Sequence, residues 1–188
     1  MALKSTIHKA TLQIADMDRQ LYTDHTLTLA RHPSETDERL MIRLLAFALQ
    51  VPHDTHGGAL QFARGLSDGD EPDLWRHDLG GALRDWIEVG LPDDRRLIKA
   101  AGRAQRVVLY AYAGSTPIWW RNIRDKLTRL TNLDVWQIAA EQSQALAGLS
   151  ERSMQLQLTV QDGHVWVGNR SASVEVVPMP LQSASKRT

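Results

Sequence analysis

The chain has 188 residues, of which 43% are hydrophobic, so it is long enough for one domain with a sizeable core. It has no cysteine, which excludes disulfides and thiolate metal sites and fits a reducing compartment such as the cytoplasm. Lys and Arg number 22, as do Asp and Glu, so nucleic-acid binding would need a local basic patch. We expect no membrane helix and no signal peptide, because no long apolar run is present.

The N-terminal segment predicts a β-hairpin. Apolar and polar residues alternate around Leu12 and again around Leu27, and a turn at 16–19 can join the two strands. Ser34 then predicts the N-cap of a helix that continues to about Leu49. Glu35, Arg39 and Arg43 follow each other at a spacing of four, where opposite charges support a helix.

The middle of the chain predicts alternating strands and helices. A strand at 86–90 precedes a helix capped by Asp93 or Asp94, and the apolar run Val107–Tyr110 predicts a central strand. A helix from Ser115, a strand at 133–138 and a helix at 141–149 complete the series. This alternation predicts right-handed crossovers and parallel strands.

The C-terminal segment predicts more β-structure. Alternating residues around Leu156 precede the turn Asp162-Gly163 and a returning strand, and Val174 and Val176 predict one more. We therefore predict a single α/β domain over residues 1–180 and a disordered tail over residues 181–188.

Two acidic residues form the candidate site. Asp73 follows Pro72 and lies fifteen positions before Glu88. Two carboxylates can hold Mg²⁺, which activates water for phosphodiester cleavage. By spacing alone, a turn aspartate and an edge glutamate are the commoner explanation.

Several stretches along nearly the whole chain resemble the YaeQ family: SETDERLMIRLLAFAL, EPDLW, DWIEVGLPDDRRLIKA, VLYAY, the tandem Trp119-Trp120 and MQLQLTVQDGHVWV. The resemblance implies a bacterial, cytosolic protein. It also implies a restriction-endonuclease-like PD-(D/E)xK core with additional antiparallel strands from the N- and C-terminal segments. On that pattern, Asp73 and Glu88 match the two metal-binding acids of the superfamily.

One catalytic position departs from that pattern. Gly90 stands where the motif lysine belongs, two residues after Glu88. Lys99 on the next helix is the candidate replacement, with Arg96 as a further substitute, and Arg95, Arg96 and Arg103 are candidates for substrate binding. Lys99 lies nearly opposite the apolar side of that helix, which favours a solvated basic stripe.

Other polar residues carry weaker signals. His53 and His56 lie in a loop with Pro and paired Gly and lack the HExxH pattern, so a flexible surface loop is the better interpretation. Glu38 could assist a metal but is better explained as a helix surface charge. Asp85 points away from Glu88 on a regular strand, which indicates a structural role. We expect one of Trp119 and Trp120 to lie in the core, because adjacent helix positions point about 100° apart.

Two functions remain open from the sequence. The first is a Mg²⁺-dependent nuclease or phosphodiesterase that uses Asp73, Glu88 and Lys99. The second is an inactive nuclease fold that binds nucleic acid or a transcription-related protein. Because GxGxxG and Walker motifs are absent, we expect no nucleotide cofactor.

Overall fold

The computed structural model describes residues 4–185, which form a mixed α/β fold of two sheets and four helices. The helices are α1 (Asp37–Gln50), α2 (Asp94–Arg103), α3 (Thr116–Leu127) and α4 (Ala140–Ala147). The strands are β1 (Thr6–Asp16), β2 (Leu21–Arg31), β3 (Leu60–Phe62), β4 (Leu74–His77), β5 (Leu83–Val89), β6 (Arg106–Tyr112), β7 (Leu133–Ile138), β8 (Ser153–Gln161), β9 (His164–Gly168), β10 (Ser173–Val176) and β11 (Met179–Gln182).

The two ends of the chain build a five-stranded sheet in the order β10-β9-β8-β1-β2. The predicted hairpins β1–β2 and β8–β9 are both present and antiparallel. The pair that joins them is parallel, with Leu12 opposite Leu156. The expectation that both ends add only antiparallel strands was therefore wrong at this pair. A hairpin makes its strands antiparallel, but β1 and β8 are joined by most of the chain, which leaves their direction free.

The middle of the chain builds a six-stranded sheet in the order β11-β7-β6-β5-β4-β3. Strands β5, β6 and β7 are parallel, with α2 and α3 in the crossovers, as the alternation predicted. Strand β4 was missed, because its sequence Leu-Trp-Arg-His is too short to alternate clearly.

Two apolar clusters hold the layers together. The larger contains α1 and α4 and the facing sides of both sheets, and α1 is buried from Leu40 to Ala48. The smaller cluster lies beneath α2 and α3 on the other side of the six-stranded sheet and includes Trp86, Leu97 and Leu127. Helix α1 begins at Asp37 rather than after Ser34, because the Thr36 hydroxyl accepts the Arg39 N–H at 3.1 Å.

The segment after Pro180 is ordered as far as Ser185, which corrects the prediction of a disordered tail from residue 181. Strand β11 pairs with β7, and Leu181 packs on the smaller cluster. Beyond it, the Ala184 N–H donates to Asp134 at 2.8 Å. Residues 186–188 lie outside the described residues. The polar sequence after Leu181 favoured disorder, but this short strand is ordered by its pairing with the edge of β7.

Within residues 4–185, none of the helices is both long and apolar enough to cross a membrane.

Candidate functional site

Asp73 and Glu88 lie beside each other on neighbouring strands. Leu74 pairs with Ile87, so Asp73, just before β4, lies opposite Glu88 near the end of β5. The Asp73 N–H donates to the Ile87 carbonyl at 3.1 Å. Both residues are buried, with exposed fractions of 0% and 5%. The structure thus brings the two predicted acids together at the carboxyl end of β5, the edge of parallel strands where ligands commonly bind.

Both oxygens of Glu88 accept hydrogen bonds from side chains. The indole Nε1 of Trp86 donates to Oε2 at 2.8 Å. This contact is possible because residues two positions apart on a strand lie on the same face. The Nε of Arg96 donates to Oε1 at 2.8 Å. Arg96 reaches this position from the first turn of α2, whose N-cap is Asp93, one of the two predicted caps.

Asp73 is enclosed by three different groups. Its Oδ2 accepts the Val89 N–H at 2.9 Å. Its Oδ1 lies 2.7 Å from Nη2 of Arg39, although that contact lacks the angle of a directed hydrogen bond. Gly65 backs the same oxygen: a Cβ at Gly65 would lie 2.8 Å from Oδ1, and Gly65 has a φ of +50°. The site therefore needs glycine there.

Arg39 was missed as a member of this site. Its guanidinium bridges Asp73 and Glu35, with a 3.1 Å contact to Oε1 of Glu35. Glu35 also accepts from Arg43 at 2.9 Å, and all three helix-spaced residues turn away from solvent. The spacing of four was a usable signal. It was interpreted as surface charge pairing because the sequence does not show that α1 lies between two sheets.

Burial raises the pKa of Glu88 to about 7, and the Asp73 charge adds to this, while the hydrogen bonds from Arg96 and Trp86 oppose it. For Arg39, burial lowers the pKa, but the charges of Asp73 and Glu35 raise it more, so its pKa lies above the ordinary value. Arg39 therefore stays charged, whereas Glu88 is poised to change its protonation state near neutral pH.

The predicted basic residues separate into two groups. Arg96 reaches Glu88, but the Lys99 ammonium binds Asp70 at 2.5 Å. The hypothesis that Lys99 enters the Glu88 cleft is therefore wrong, and Lys99 lies on the solvated side of α2, as the helix pattern favoured. Arg103 donates to the Asp70 carbonyl at 3.1 Å and lies over the Trp86 ring at 5.3 Å. Arg95 is exposed.

Gly90 occupies a backbone conformation that disfavours a lysine at this position. Its φ is +103°, and its N–H donates to the Tyr110 carbonyl at 3.0 Å. A Cβ at Gly90 would meet no atom within 4 Å, so space is available. The left-handed conformation nevertheless strains any lysine at this position.

The residues present do not fit a Mg²⁺ ion. Each of the four carboxylate oxygens of Asp73 and Glu88 already contacts an N–H or a guanidinium group, and Arg39 and Arg96 supply the positive charge. Glu38 binds the Ser143 hydroxyl instead. Among residues 4–185, no group of three His, Asp or Glu side chains is arranged to hold a metal. His53 and His56 are exposed in the predicted loop.

A basic surface adjoins the site. Residues 91–130 contain nine Lys or Arg and three Asp or Glu, so this segment carries a net charge of +6 in a chain of zero net charge. Seven of the nine are exposed on α2, α3 and the turn after α3, and we call them the basic face: Arg95, Lys99, Arg103, Arg121, Arg124, Lys126 and Arg129. Trp119 and Trp120 are both half-buried beside it, and both pack against the smaller cluster rather than one alone.

Comparisons with known proteins agree with the fold. A family model described as YaeQ protein matches residues 1–178. The proteins named "Uncharacterized protein YaeQ" from Escherichia coli (strain K12) and Salmonella typhi are each 44% identical over 177 residues, which cover 94% of this chain and 95% of each relative.

Two solved structures are also similar. The crystal structure of a YaeQ protein from Xanthomonas axonopodis pv. citri has a TM-score of 0.89 at 44% identity and covers 95% of this chain and 99% of that one. A YaeQ protein from Pseudomonas syringae has a TM-score of 0.88 at 35% identity, covering 95% and 97%.

Proposed function

This chain belongs to the YaeQ family, and from the chemistry of its own residues we propose that it binds the phosphate backbone of nucleic acid through the basic face without cutting it. The main observation in support of this proposal is the concentration of positive charge on one surface. A chain with equal numbers of acids and bases places seven exposed bases on one two-helix layer. Phosphate contacts dominate the affinity of proteins for nucleic acid, so this layer is the natural contact surface.

Much of the basic face is free to bind. Lys99, Arg124 and Lys126 pair with neighbouring acids, but these pairs are exposed and weak. Among the described residues, Arg95, Arg121 and Arg129 have no acidic partner. The free arginines can therefore pair with phosphates at little cost in internal bonds.

The Asp73–Glu88 site serves in this proposal to position α2. Arg96 donates to Glu88, to the Gly69 carbonyl at 2.5 Å and to the Glu71 carbonyl at 2.8 Å. It therefore ties the start of α2 both to β5 and to the loop before β4. A helix held in this way presents its outer bases in a fixed arrangement, which lowers the entropic cost of binding.

The test measures binding of labelled single- and double-stranded DNA and RNA by fluorescence anisotropy. The variant Arg121→Glu/Arg129→Glu reverses two charges on the basic face. We expect the affinity to fall at least about tenfold, because two phosphate contacts are lost. For the same reason, the slope of log affinity against log salt concentration should be smaller in magnitude by about 2.

The matched control is Arg152→Glu/Arg170→Glu, which makes the same charge change at exposed positions on the five-stranded sheet side. It should change affinity by no more than about twofold, through long-range charge alone. Equal losses in the two variants, or no binding by the wild type at low salt, would reject the basic face as the contact surface.

A Mg²⁺-dependent nuclease or phosphodiesterase is the second candidate. The adjacency of Asp73 and Glu88 and the raised pKa of Glu88 favour it, since perturbed carboxyl groups cluster at functional sites. It would require Arg39 and Arg96 to leave both carboxylates. Cleavage that needs Mg²⁺ or Mn²⁺ and disappears in Glu88→Gln would establish this candidate in place of the non-cutting function.

We interpret the six-stranded sheet with its helices as the variant of the PD-(D/E)xK core that the sequence suggested. The support is the position of the two acids, Asp73 just before β4 and Glu88 on β5, beside a parallel pair. We place the protein in the bacterial cytoplasm, which the absence of cysteine fits.

A further inference from the structure

A pocket lies between the two sheets, on the opposite side of the six-stranded sheet from Glu88. Its volume is about 220 Å³. Tyr110 and Trp136 line it from the six-stranded sheet, Leu49 and Gln50 from α1, and Val160 and Val165 from the five-stranded sheet. Since pockets for drug-sized ligands span about 300–1,000 Å³, this one suits a single ring system.

Tyr110 offers this pocket a hydrogen-bond donor. Its side chain is 2% exposed, and its hydroxyl oxygen accepts from Nε2 of Gln50 at 2.6 Å. The orientation of that amide follows from Arg106, which donates to Oε1 of Gln50 at 2.9 Å and has no lone pair to accept with. The phenolic proton of Tyr110 finds no acceptor anywhere in residues 4–185. Buried hydroxyls normally donate, so this proton indicates a ligand acceptor.

The pocket environment keeps that donor in place. Burial raises the pKa of Tyr110 to about 12, opposed by the hydrogen bond from Gln50, so the phenol stays protonated at physiological pH. Trp136 is the in-register neighbour of Tyr110 on β7 and packs on the same apolar cluster. Its indole N–H also lacks an acceptor among the described residues, and its ring supplies a flat wall.

The two carboxylates that line the pocket already accept hydrogen bonds from the protein. Asp16 accepts the backbone and side-chain N–H groups of Arg19, at 2.9 and 2.6 Å. Asp18 accepts the N–H groups of Asp162 and Gly163, at 2.7 and 2.9 Å. The Tyr110 and Trp136 donors are therefore the unpartnered polar groups that the described residues place at the pocket, because Arg19 and Arg106, which also line it, donate to neighbouring oxygens. A complementary ligand is flat and rich in acceptors.

We propose that this inter-sheet pocket binds a small planar heteroaromatic molecule of the nucleobase class, with a carbonyl or ring nitrogen that accepts the Tyr110 proton. The ligand ring packs against Trp136. This site is separate from the basic face, and it takes the free base rather than a polymer.

The experiment titrates the wild-type protein with uracil, adenine and nicotinamide and follows ¹H–¹⁵N spectra. The indole N–H signal of Trp136, identified with the variant Trp136→Phe, should shift with at least one of the three. Tyr110→Phe keeps the ring and removes only the hydroxyl. This variant should bind that ligand with about fivefold lower affinity, as expected for one lost hydrogen bond.

Tyr22→Phe is the matched control, because Tyr22 is 66% exposed on β2 and lies outside the pocket. It should bind as the wild type does, and so should Arg121→Glu/Arg129→Glu, which tests the basic face separately. If none of the three probes shifts the Trp136 signal of the wild type, the proposal is wrong. This outcome does not depend on whether Tyr110→Phe folds. Equal affinity in Tyr110→Phe and the wild type overturns the proposal as well.

Discussion

Glu88 illustrates how one buried residue combines stability with charge. It is enclosed by Trp86 and Arg96 and faces Asp73. Burial is the largest cause of its raised pKa. A carboxyl group in such a place disfavours its own ionisation, and Arg96 recovers only part of the lost hydration. The residue is therefore sensitive to pH in a range where exposed glutamates are already fully ionised.

The free energy of unfolding should fall as pH rises from about 4.5 to about 7 because of Glu88. Its pKa is 4.5 in a free chain and about 7 in the fold, so the folded state binds more protons between these values. Glu88→Gln cannot ionise and removes this dependence. In urea unfolding, the free energy of unfolding of Glu88→Gln should rise by about 2–3 kcal/mol relative to that of the wild type between pH 4.5 and pH 8.

The control for this comparison is Glu141→Gln, an exposed glutamate in the first turn of α4. Its stability relative to wild type should stay nearly constant over the same pH range. If Glu88→Gln also runs parallel to wild type, then Glu88 is not the buried titrating group described here.

At the scale of the element, α2 connects the acidic site to the basic face. Its N-cap Asp93 accepts the Arg96 N–H at 2.8 Å, and the Arg96 side chain continues to Glu88. Leu97 and Ala100 bury the inner side of the helix against the six-stranded sheet. One helix therefore carries a cap, an ion pair to the buried acid and the outward bases Arg95 and Lys99.

Asp93→Ala should lower the free energy of unfolding by about 1 kcal/mol, because the cap hydrogen bond is lost. The change should be visible as an earlier midpoint in urea unfolding. Ser115→Ala is the matched control: Ser115 occupies the N-cap of α3, but its side chain makes no capping hydrogen bond. A loss of equal size in both variants would show that the Asp93 cap is not the cause.

At the scale of the whole molecule, the chain ends hold the two sheets in place. Strand β1 pairs with β8 across most of the sequence, and β11 closes the edge of β7. The larger core then forms between the sheets around α1 and α4. The last strand is thus a structural part of the fold, although a polar segment follows it directly.

Removal of residues 179–188 should lower the melting temperature by about 5 °C, since β11 and the packed Leu181 are lost and the edge of β7 is exposed. Removal of residues 186–188 alone is the control and should leave the melting temperature unchanged. If both truncations melt together with the full chain, β11 does not contribute to stability. Circular dichroism during heating measures all three proteins.

Local patterns in the sequence determined much of this protein. Alternation around Leu12 and Leu156 predicted the hairpins, and the pair Asp93-Asp94 predicted the start of α2. Turn and cap chemistry act between residues close in the chain. The pairing of Asp73 with Glu88 was also predicted, although from the family resemblance rather than from spacing.

Only the tertiary structure decided which charges meet. Arg39 on α1 reaches Asp73, Arg96 rather than Lys99 reaches Glu88, and β1 pairs in parallel with β8. These contacts join residues that are far apart in sequence or on different layers, and their geometry depends on packing that no local pattern encodes. For the same reason the backbone of Gly90 and the donor-rich pocket at Tyr110 became visible only in the folded chain.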